Sequence, residues 1–364
     1  ITAYCGNQTT LCLNSATAGL EIMLRWFGVK EGDEVILPAY TYSATANVVM
    51  HCGAKPVFVD VNADDFNISI EAIKNAITPK TKVIMPVDFA GLPCDYNLIN
   101  KLVNEVKTQF IPASHEQEKL GRILVLSDSA HSFGAYYNGK RAGSLADVSV
   151  FSFHAVKNLT TGEGGAVCLN FPEPFNNEEL YKQLCVKTLH GQNKDALAKT
   201  QKGNWRYDIV EAGYKSNMTD ITAAIGQVEL ARYDAETLPR RKAICNRYIE
   251  KLSQFDWAEN PIYLTEEKEG SYHLFPLRIK GVAEDQRDEI IKEIFDCDVS
   301  VNVHFMPLPN MSFYKGLGYD VLDYPIALDN YRREISLPVF YDLTEEMIET
   351  VLNAVIQSVE KVLE

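Results

Sequence analysis

Three local patterns hold residue types whose spacing could do chemistry. In the first, Ser152-Phe-His-Ala-Val-Lys157 runs on to Gly162-Glu-Gly-Gly165, so a lysine follows an apolar stretch and precedes a glycine-rich turn. A lysine amine attacks a carbonyl only when neutral, which requires desolvation or a nearby cation to lower its pKa. Packing by Phe153 and Val156 would supply the desolvation, whereas the plainer reading is a solvated loop lysine. In the second, Ile123-Leu-Val-Leu-Ser-Asp128-Ser-Ala-His131 ends an apolar stretch in an acid, with a histidine three residues on. A carboxylate so placed can keep a ring nitrogen of a bound heterocycle protonated and make that ring an electron sink. Its plainer reading is an aspartate capping the next turn. In the third, Asn14-Ser-Ala-Thr17-Ala18-Gly19 opens a helical stretch, leaving backbone N–H groups and the positive dipole end for a phosphate. Plain helix capping is the commoner meaning of such a run. Lysine, ring-nitrogen acid and phosphate cradle are the three parts that a pyridoxal-phosphate enzyme needs, and their joint occurrence outweighs the plainer reading of each.

The elements that must position these residues alternate along the chain. Short apolar runs at 34–37, 56–60, 82–87, 122–127 and 147–153 are separated by amphipathic stretches near 42–50, 70–77 and 95–107. Such runs, apolar throughout, predict a mostly parallel sheet covered by helices on both faces, an open α/β architecture whose ligands gather beyond the carboxyl ends of the strands. The polar segment 105–121 breaks the rhythm and reads as a helix end running into a surface insertion. A helical stretch covers 219–257, and beyond it 273–279 and 299–303 read as strands between helices. The division expected is a large domain over 1–235 and a smaller C-terminal α+β domain over 236–364.

Composition removes several classes of function. The 364 residues are 46% apolar and 23% charged, which is globular rather than disordered. Thirty-five basic against 49 acidic side chains give a net charge of -14, with no basic patch to suit nucleic acid. No apolar run approaches the roughly 18 residues of a membrane span. The eight cysteines form no C-x-x-C pair, which argues for free reduced thiols, against a zinc site or disulfide framework, and for the cytoplasm. Gly134-Ala-Tyr-Tyr-Asn-Gly139-Lys140-Arg141 approaches a P-loop but has Arg where Ser or Thr must hold Mg²⁺, so Asn138-Gly139 reads as a hairpin turn. His154 and His190 read as satisfied structural histidines rather than substrate contacts.

These motifs, with Gly32-Asp-Glu-Val-Ile36, Gly213-Tyr-Lys-Ser-Asn217-Met-Thr-Asp220 and Ser336-Leu-Pro-Val-Phe340, make the sequence resemble the DegT/DnrJ/EryC1/StrS family of sugar aminotransferases. The resemblance spans nearly the whole chain and is similar to the branch acting on the C4 keto group of UDP-linked sugars. It implies the type I fold of pyridoxal-phosphate enzymes, the aspartate-aminotransferase-like architecture. Lys157 would bond to the cofactor and then shuttle protons, Asp128 would hold the ring nitrogen protonated, and His131 would lie near the ring and its phenolic oxygen. Tyr42 would stack on the ring face. Thr17, Ala18 and Ser152 would bind the phosphate, with Asn217 reaching in from a second subunit, so a homodimer would complete each site. His304 matches a position that approaches the nucleotide sugar. The amino donor implied is L-glutamate and the product an amino sugar.

Two departures stand out. Asp88 occupies a position where the family often has histidine, and members usually carry a further segment before the point where this sequence starts. Some relatives replace the lysine by histidine and become dehydratases; Lys157 argues against that here. Other pyridoxal-phosphate chemistry, such as an amino-acid lyase, and a non-catalytic regulatory homologue are the rival readings.

Overall fold

The computed structural model describes residues 1–193 and 206–364. The strands of its first part are β1 (Thr9–Leu13), β2 (Glu34–Pro38), β3 (Lys55–Val59), β4 (Thr81–Ile84), β5 (Leu124–Asp128), β6 (Tyr136–Tyr137), β7 (Lys140–Arg141), β8 (Val148–Ser152) and β9 (Gly165–Leu169). Seven of them form one sheet in the order β1-β9-β8-β5-β4-β2-β3. The run from β3 through β2, β4 and β5 to β8 is parallel, and β9 and β1 close that side antiparallel. The five apolar runs singled out above are β2, β3, β4, β5 and β8.

Alternation along each strand explains why these runs are apolar throughout. Val35 and Leu37, Leu124 and Leu126, and Val148 and Val150 join one core, whereas Ile36, Val125 and Phe151 join the core on the other face. Helices Ala16–Trp26 and Ser43–His51 belong to the first layer, and Tyr96–Glu105 belongs to the second.

The second part of the chain adds β10 (Ala258–Glu259), β11 (Lys268–Glu269), β12 (Phe275–Ile279) and β13 (Glu334–Leu337). Strands β10, β12 and β13 make a small antiparallel sheet. It packs with helices Leu238–Leu252, Glu284–Asp296 and Glu345–Leu363 around a third core that includes Tyr248, Phe275, Ile290, Ile335 and Leu352. Leu308, Tyr314, Leu328 and Tyr331 nevertheless pack into the first core.

Some sequence expectations need correction. Residues 299–303 form no strand; only Asn302 bridges Ser336 of β13. Strands β1 and β9 carry no separate signal in the sequence, because β1 runs directly into Asn14-Ser-Ala-Thr17 and β9 begins inside the glycine-rich turn at Gly165. The segment 105–121 does follow the end of helix Tyr96–Glu105 and is mostly exposed, as read from the sequence, but it is tied to the body of the fold. Its helix His115–Leu120 buries Gln117, whose Nε2 donates 2.9 Å to the Phe27 carbonyl, and Lys82 Nζ donates 2.6 Å to the Ile111 carbonyl. The hairpin was legible: β6 and β7 pair across Asn138 and Gly139, whose φ angles of 48° and 74° suit the primed turns that match strand twist. Lys140 and Arg141 are therefore strand residues, and Arg141 pairs with Asp234 at 2.6 Å.

Candidate active site

A cavity of about 730 Å³ opens where the carboxyl ends of β2, β4, β5 and β8 meet the start of helix Ala16–Trp26 and the C-terminal segment 300–305. Of the residues singled out, Thr17, Tyr42, Asp128, His131, Ser152, Lys157 and His304 all line it. Ala18 and Asn217 do not.

Asp128 ends β5 and is almost wholly buried. Its Oδ2 accepts from Thr45 Oγ1 at 2.8 Å and its Oδ1 from the Ala130 N–H at 3.2 Å. Burial pushes its carboxyl pKa up, against those two donors and the charge of Lys157. Thr45 is in turn bonded to Thr41 at 2.9 Å. Asp128 is thus not a turn cap alone, since one of its oxygens is bonded to a helix of the neighbouring crossover.

Lys157 lies in the loop between β8 and β9. Loss of water pushes its ammonium down to about 8, although Asp128 pulls the other way. Phe153 is buried as expected, but Val156 is 66% exposed and contributes little to this desolvation. The loop is held instead by Asn158, whose Nδ2 donates 2.7 Å to the Ser271 carbonyl and whose Oδ1 bonds His273 Nδ1 at 2.8 Å. Gly165, at the loop's end, is where a side chain cannot fit: a Cβ there would lie 2.5 Å from the Ala16 backbone nitrogen. The close approach sets Ser152 and the helix start side by side on the rim.

At that helix start, Ser15 is the N-cap and accepts from the Ala18 N–H at 3.1 Å. Capping and anion cradle therefore coexist: Ala18 has given its N–H away and is off the cavity wall, whereas Ala16 and Thr17 line it. Their N–H groups have no partner within the helix.

His131 is buried, its Nδ1 has no hydrogen-bond partner, and its ring lies 4.3 Å from that of His273. Burial, helped by the charges of Lys157 and His304, pushes its pKa well below the usual histidine range. Tyr42 is 62% exposed at the rim, its ring 5.9 Å from that of Phe305. Burial and the Lys157 charge push His304 down to about 4. Asn217 bridges Leu13 at the end of β1 and is not part of the cavity wall of its own chain.

The other histidines depart from expectation. Neither His154 nor His190 is a buried structural residue: His154 lines the cavity and faces Glu163 at 3.5 Å, and His190 is exposed. Asp88 is fully buried and accepts from Ser132 Oγ at 2.6 Å, Tyr96 OH at 2.7 Å and the Cys94 N–H at 2.9 Å. It ties the turn carrying His131 to the strand end of β4. Thr45 and Phe305 belong to no quoted motif, and His273 and Ser336 stood in the sequence only as the start of a strand and of a motif with no site role, because their proximity to Lys157 and His304 is created by chain reversal. All eight cysteines are free.

These residues fit pyridoxal phosphate. An amine of lowered pKa faces a buried acid, an orphaned His131 Nδ1 awaits a partner, and a helix start offers free amides beside Ser152. Among the described residues no helix is long and apolar enough to cross a membrane.

Comparison with known proteins agrees with this chemistry. Residues 1–356 match the DegT/DnrJ/EryC1/StrS aminotransferase family. The chain is 34% identical over 357 residues to the spore coat polysaccharide biosynthesis protein SpsC of Bacillus subtilis, covering 97% of this chain and 86% of that one. It is similar to a Streptococcus pneumoniae protein assigned as a sugar aminotransferase, Spr1654, solved in its PMP form, with TM-score 0.95, 43% identity, and 99% and 90% of the two chains covered. It is also similar to Helicobacter pylori PseC, an aminotransferase involved in pseudoaminic acid biosynthesis, with TM-score 0.86, 26% identity, and 99% and 89% covered.

Proposed function

The chain belongs to the DegT/DnrJ/EryC1/StrS aminotransferase family, and from that premise we propose that it moves an amino group from L-glutamate to a keto group of a nucleotide-linked sugar. The family is one of pyridoxal-phosphate-dependent sugar aminotransferases, of the type I fold. The observation that carries the proposal is the pairing of Lys157, at about 8, with buried Asp128 in one cavity. SpsC, named for polysaccharide biosynthesis, supports a product that is an amino sugar for a surface polysaccharide or related glycoconjugate.

When bound, pyridoxal phosphate supplies a ring that accepts an amino group and electrons and returns them to a second carbonyl. Asp128, held by Thr45 and Ala130, is placed to keep a proton on the ring nitrogen. Lys157, with its lowered pKa, takes a proton from one carbon and delivers it to another. The free amides of Ala16 and Thr17, with Ser152, hold a phosphate at the helix start. Tyr42, at the rim, would cover the ring face, His131 would offer Nδ1 to a ring oxygen, and His304 would face the sugar.

A second copy of the chain completes the site in this reading. Helix Asp220–Arg232 buries none of its residues, and Ile221, Ile225 and Val228 on one face are 76%, 45% and 64% exposed. Asn217 stands three residues before it, suited to reach a neighbour's phosphate site. A cytoplasmic location fits free thiols throughout.

The test is Lys157→Ala, which is expected to remove both turnover and the visible absorption of the lysine-bound cofactor; unchanged turnover sinks the assignment. In the wild type, L-glutamate alone is expected to convert the cofactor to its amine form, which lyase or dehydratase chemistry on an amino acid would not require. A panel of nucleotide keto-sugars then identifies the one that restores the visible band.

A further inference from the structure

Behind His304 lies a buried polar relay that the chemistry above does not use. Glu334 opens β13 and is fully buried, and Ser336, two residues on, shares its face of the strand. Ser336 Oγ donates to Glu334 Oε1 and lies 2.8 Å from His304 Nδ1. Glu334 Oε2 accepts from the His304 backbone N–H at 3.0 Å. Ser336 and Asn302 exchange backbone hydrogen bonds, which pins the His304 segment against β13. His304 Nε2 has no protein partner among the described residues, and the ring lines the cavity.

We propose that Glu334, acting through Ser336, sets which nitrogen of His304 carries the proton, and so whether Nε2 accepts from or donates to the ligand in the cavity. The count of hydrogen-bond donors fixes the proton's place. An N–H can only donate, so Oε2 must accept and any proton on Glu334 belongs on Oε1. With Glu334 ionised, Ser336 spends its one proton on Oε1 and must accept from His304 Nδ1–H, leaving Nε2 bare. With Glu334 neutral, Oε1–H donates to Ser336, Ser336 donates to Nδ1, and the ring proton sits on Nε2. The first state suits a sugar hydroxyl, the second a keto or phosphate oxygen. Glu334 is therefore a positioning residue; that its ligand is a sugar rests on the proposed function.

The surroundings place the switch in an accessible range. Burial pushes Glu334 up to about 8, with Arg287 and Arg278 opposing. Arg278 stands opposite Glu334 on β12 but pairs with Glu259, and Arg287, on helix Glu284–Asp296, donates to the carbonyls of Tyr331 and Glu334. Tyr40, which donates 2.7 Å to the His304 carbonyl, is buried and stays protonated, its pKa raised by burial and Glu334. His304 itself remains neutral over this range; Lys157 is the other ionisable group facing it and, at about 8, changes its charge over the same range in wild type and Glu334→Gln alike.

Glu334→Gln tests the relay with almost no change of shape. The His304 N–H forces the amide oxygen to the Oε2 position, so the amide NH₂ must donate to Ser336 and hold the second state. The holoenzyme is labelled with ¹⁵N-histidine, and two-bond ¹H–¹⁵N correlation spectra report the His304 tautomer, with His304→Asn as the assignment control. Expected is Nδ1–H above about pH 8 and Nε2–H below it in the wild type, and Nε2–H throughout in Glu334→Gln. The same tautomer in both proteins at every pH overturns the proposal. Should Glu334→Gln fail to fold, Ser336→Ala carries the test: a His304 tautomer still switching with pH refutes the relay, and loss of the switch supports it. Because the readout needs no turnover, a relay that works in a protein that aminates no sugar would fault the proposed function and not this inference.

Discussion

In the cofactor-free protein, Lys157 is expected to react as a neutral amine at pH values where exposed lysines are inert, and to cost the fold stability there. With its pKa at about 8, one Lys157 in about ten is neutral at pH 7. A lysine at the ordinary 10.5 is neutral about one time in three thousand, so the ratio is roughly three-hundredfold. Competitive trace acetylation read by mass spectrometry, with exposed Lys101 and Lys182 as internal standards, measures that ratio directly. Asp128→Asn removes the one charge holding the ammonium and should move the Lys157 titration further down. The same shift is a stability statement with a definite sign. Folded pKa lies below unfolded, so the penalty is full below about 8, fades between 8 and 10.5, and is absent above. At about 1.4 kcal/mol per unit it reaches at most about 3.5 kcal/mol, and Lys157→Met should recover part of it at pH 7 and almost none above 10.5. Should Lys157 acetylate in step with Lys101 across pH, and Lys157→Met melt with the wild type at pH 7, the reasoning about desolvation is wrong.

Two further outcomes follow from other contacts. Thr45→Val leaves the shape at Asp128 intact but removes a hydrogen bond to a charged group, a loss of about 1.5–3 kcal/mol, so the ratio of ionised to neutral Asp128 should fall about tenfold to a hundredfold. The acid limb of the pH–rate profile would then move to higher pH, and an unmoved limb would exclude Asp128 from the essential ionisation. Ile225→Asp places a charge in the apolar stripe of helix Asp220–Arg232 and should yield a monomer by sedimentation, with activity lost although Lys157 is untouched; an active monomer would remove the need for Asn217 of a second copy.

Much of the first part of the chain was legible because its signals are local. A strand buried on both faces is apolar at most of its positions, so β2, β4, β5 and β8 announce themselves, and their carboxyl ends point to Asp128 and Ser152. Lys157 was legible by type and spacing, but the agent of its desolvation was not: Val156 faces out and Asn158 ties the loop to Ser271. That tie spans more than a hundred residues, and no periodicity carries it. Thr45 went unseen for the same reason, since a threonine inside a helix reads as an ordinary helix residue until the sheet brings β5 beside it. Asp88 read as a departure of unassigned role, and it resolves into an anchor whose acceptors are filled by Ser132, Tyr96 and Cys94.

The titratable groups around the cavity show why such a site depends on its ligand. Lys157, His131, His273 and His304 are all pushed down, and Asp128 and Glu334 are pushed up, each chiefly by burial. Every shift moves its group toward its neutral form, which is what a dry cavity does to charges that lack partners. Three neighbouring histidines cannot all be cationic beside Lys157 and the buried Arg241, so the rings stay neutral and Arg241 is left as the fixed cation of this wall. An incoming phosphate and a protonated ring bring the missing charges themselves: the anion meets free amides, and the cation meets Asp128. The carboxylate then has the partner that burial denied it, and its pKa should fall when the cofactor is bound. Binding and ionisation of Asp128 are therefore one linked equilibrium, so cofactor affinity should weaken as pH drops through the range where the free protein's Asp128 takes up its proton. A cofactor affinity independent of pH across that range, with the phosphate ionisation of the free cofactor accounted for, would mean that Asp128 is not the group that meets the ring.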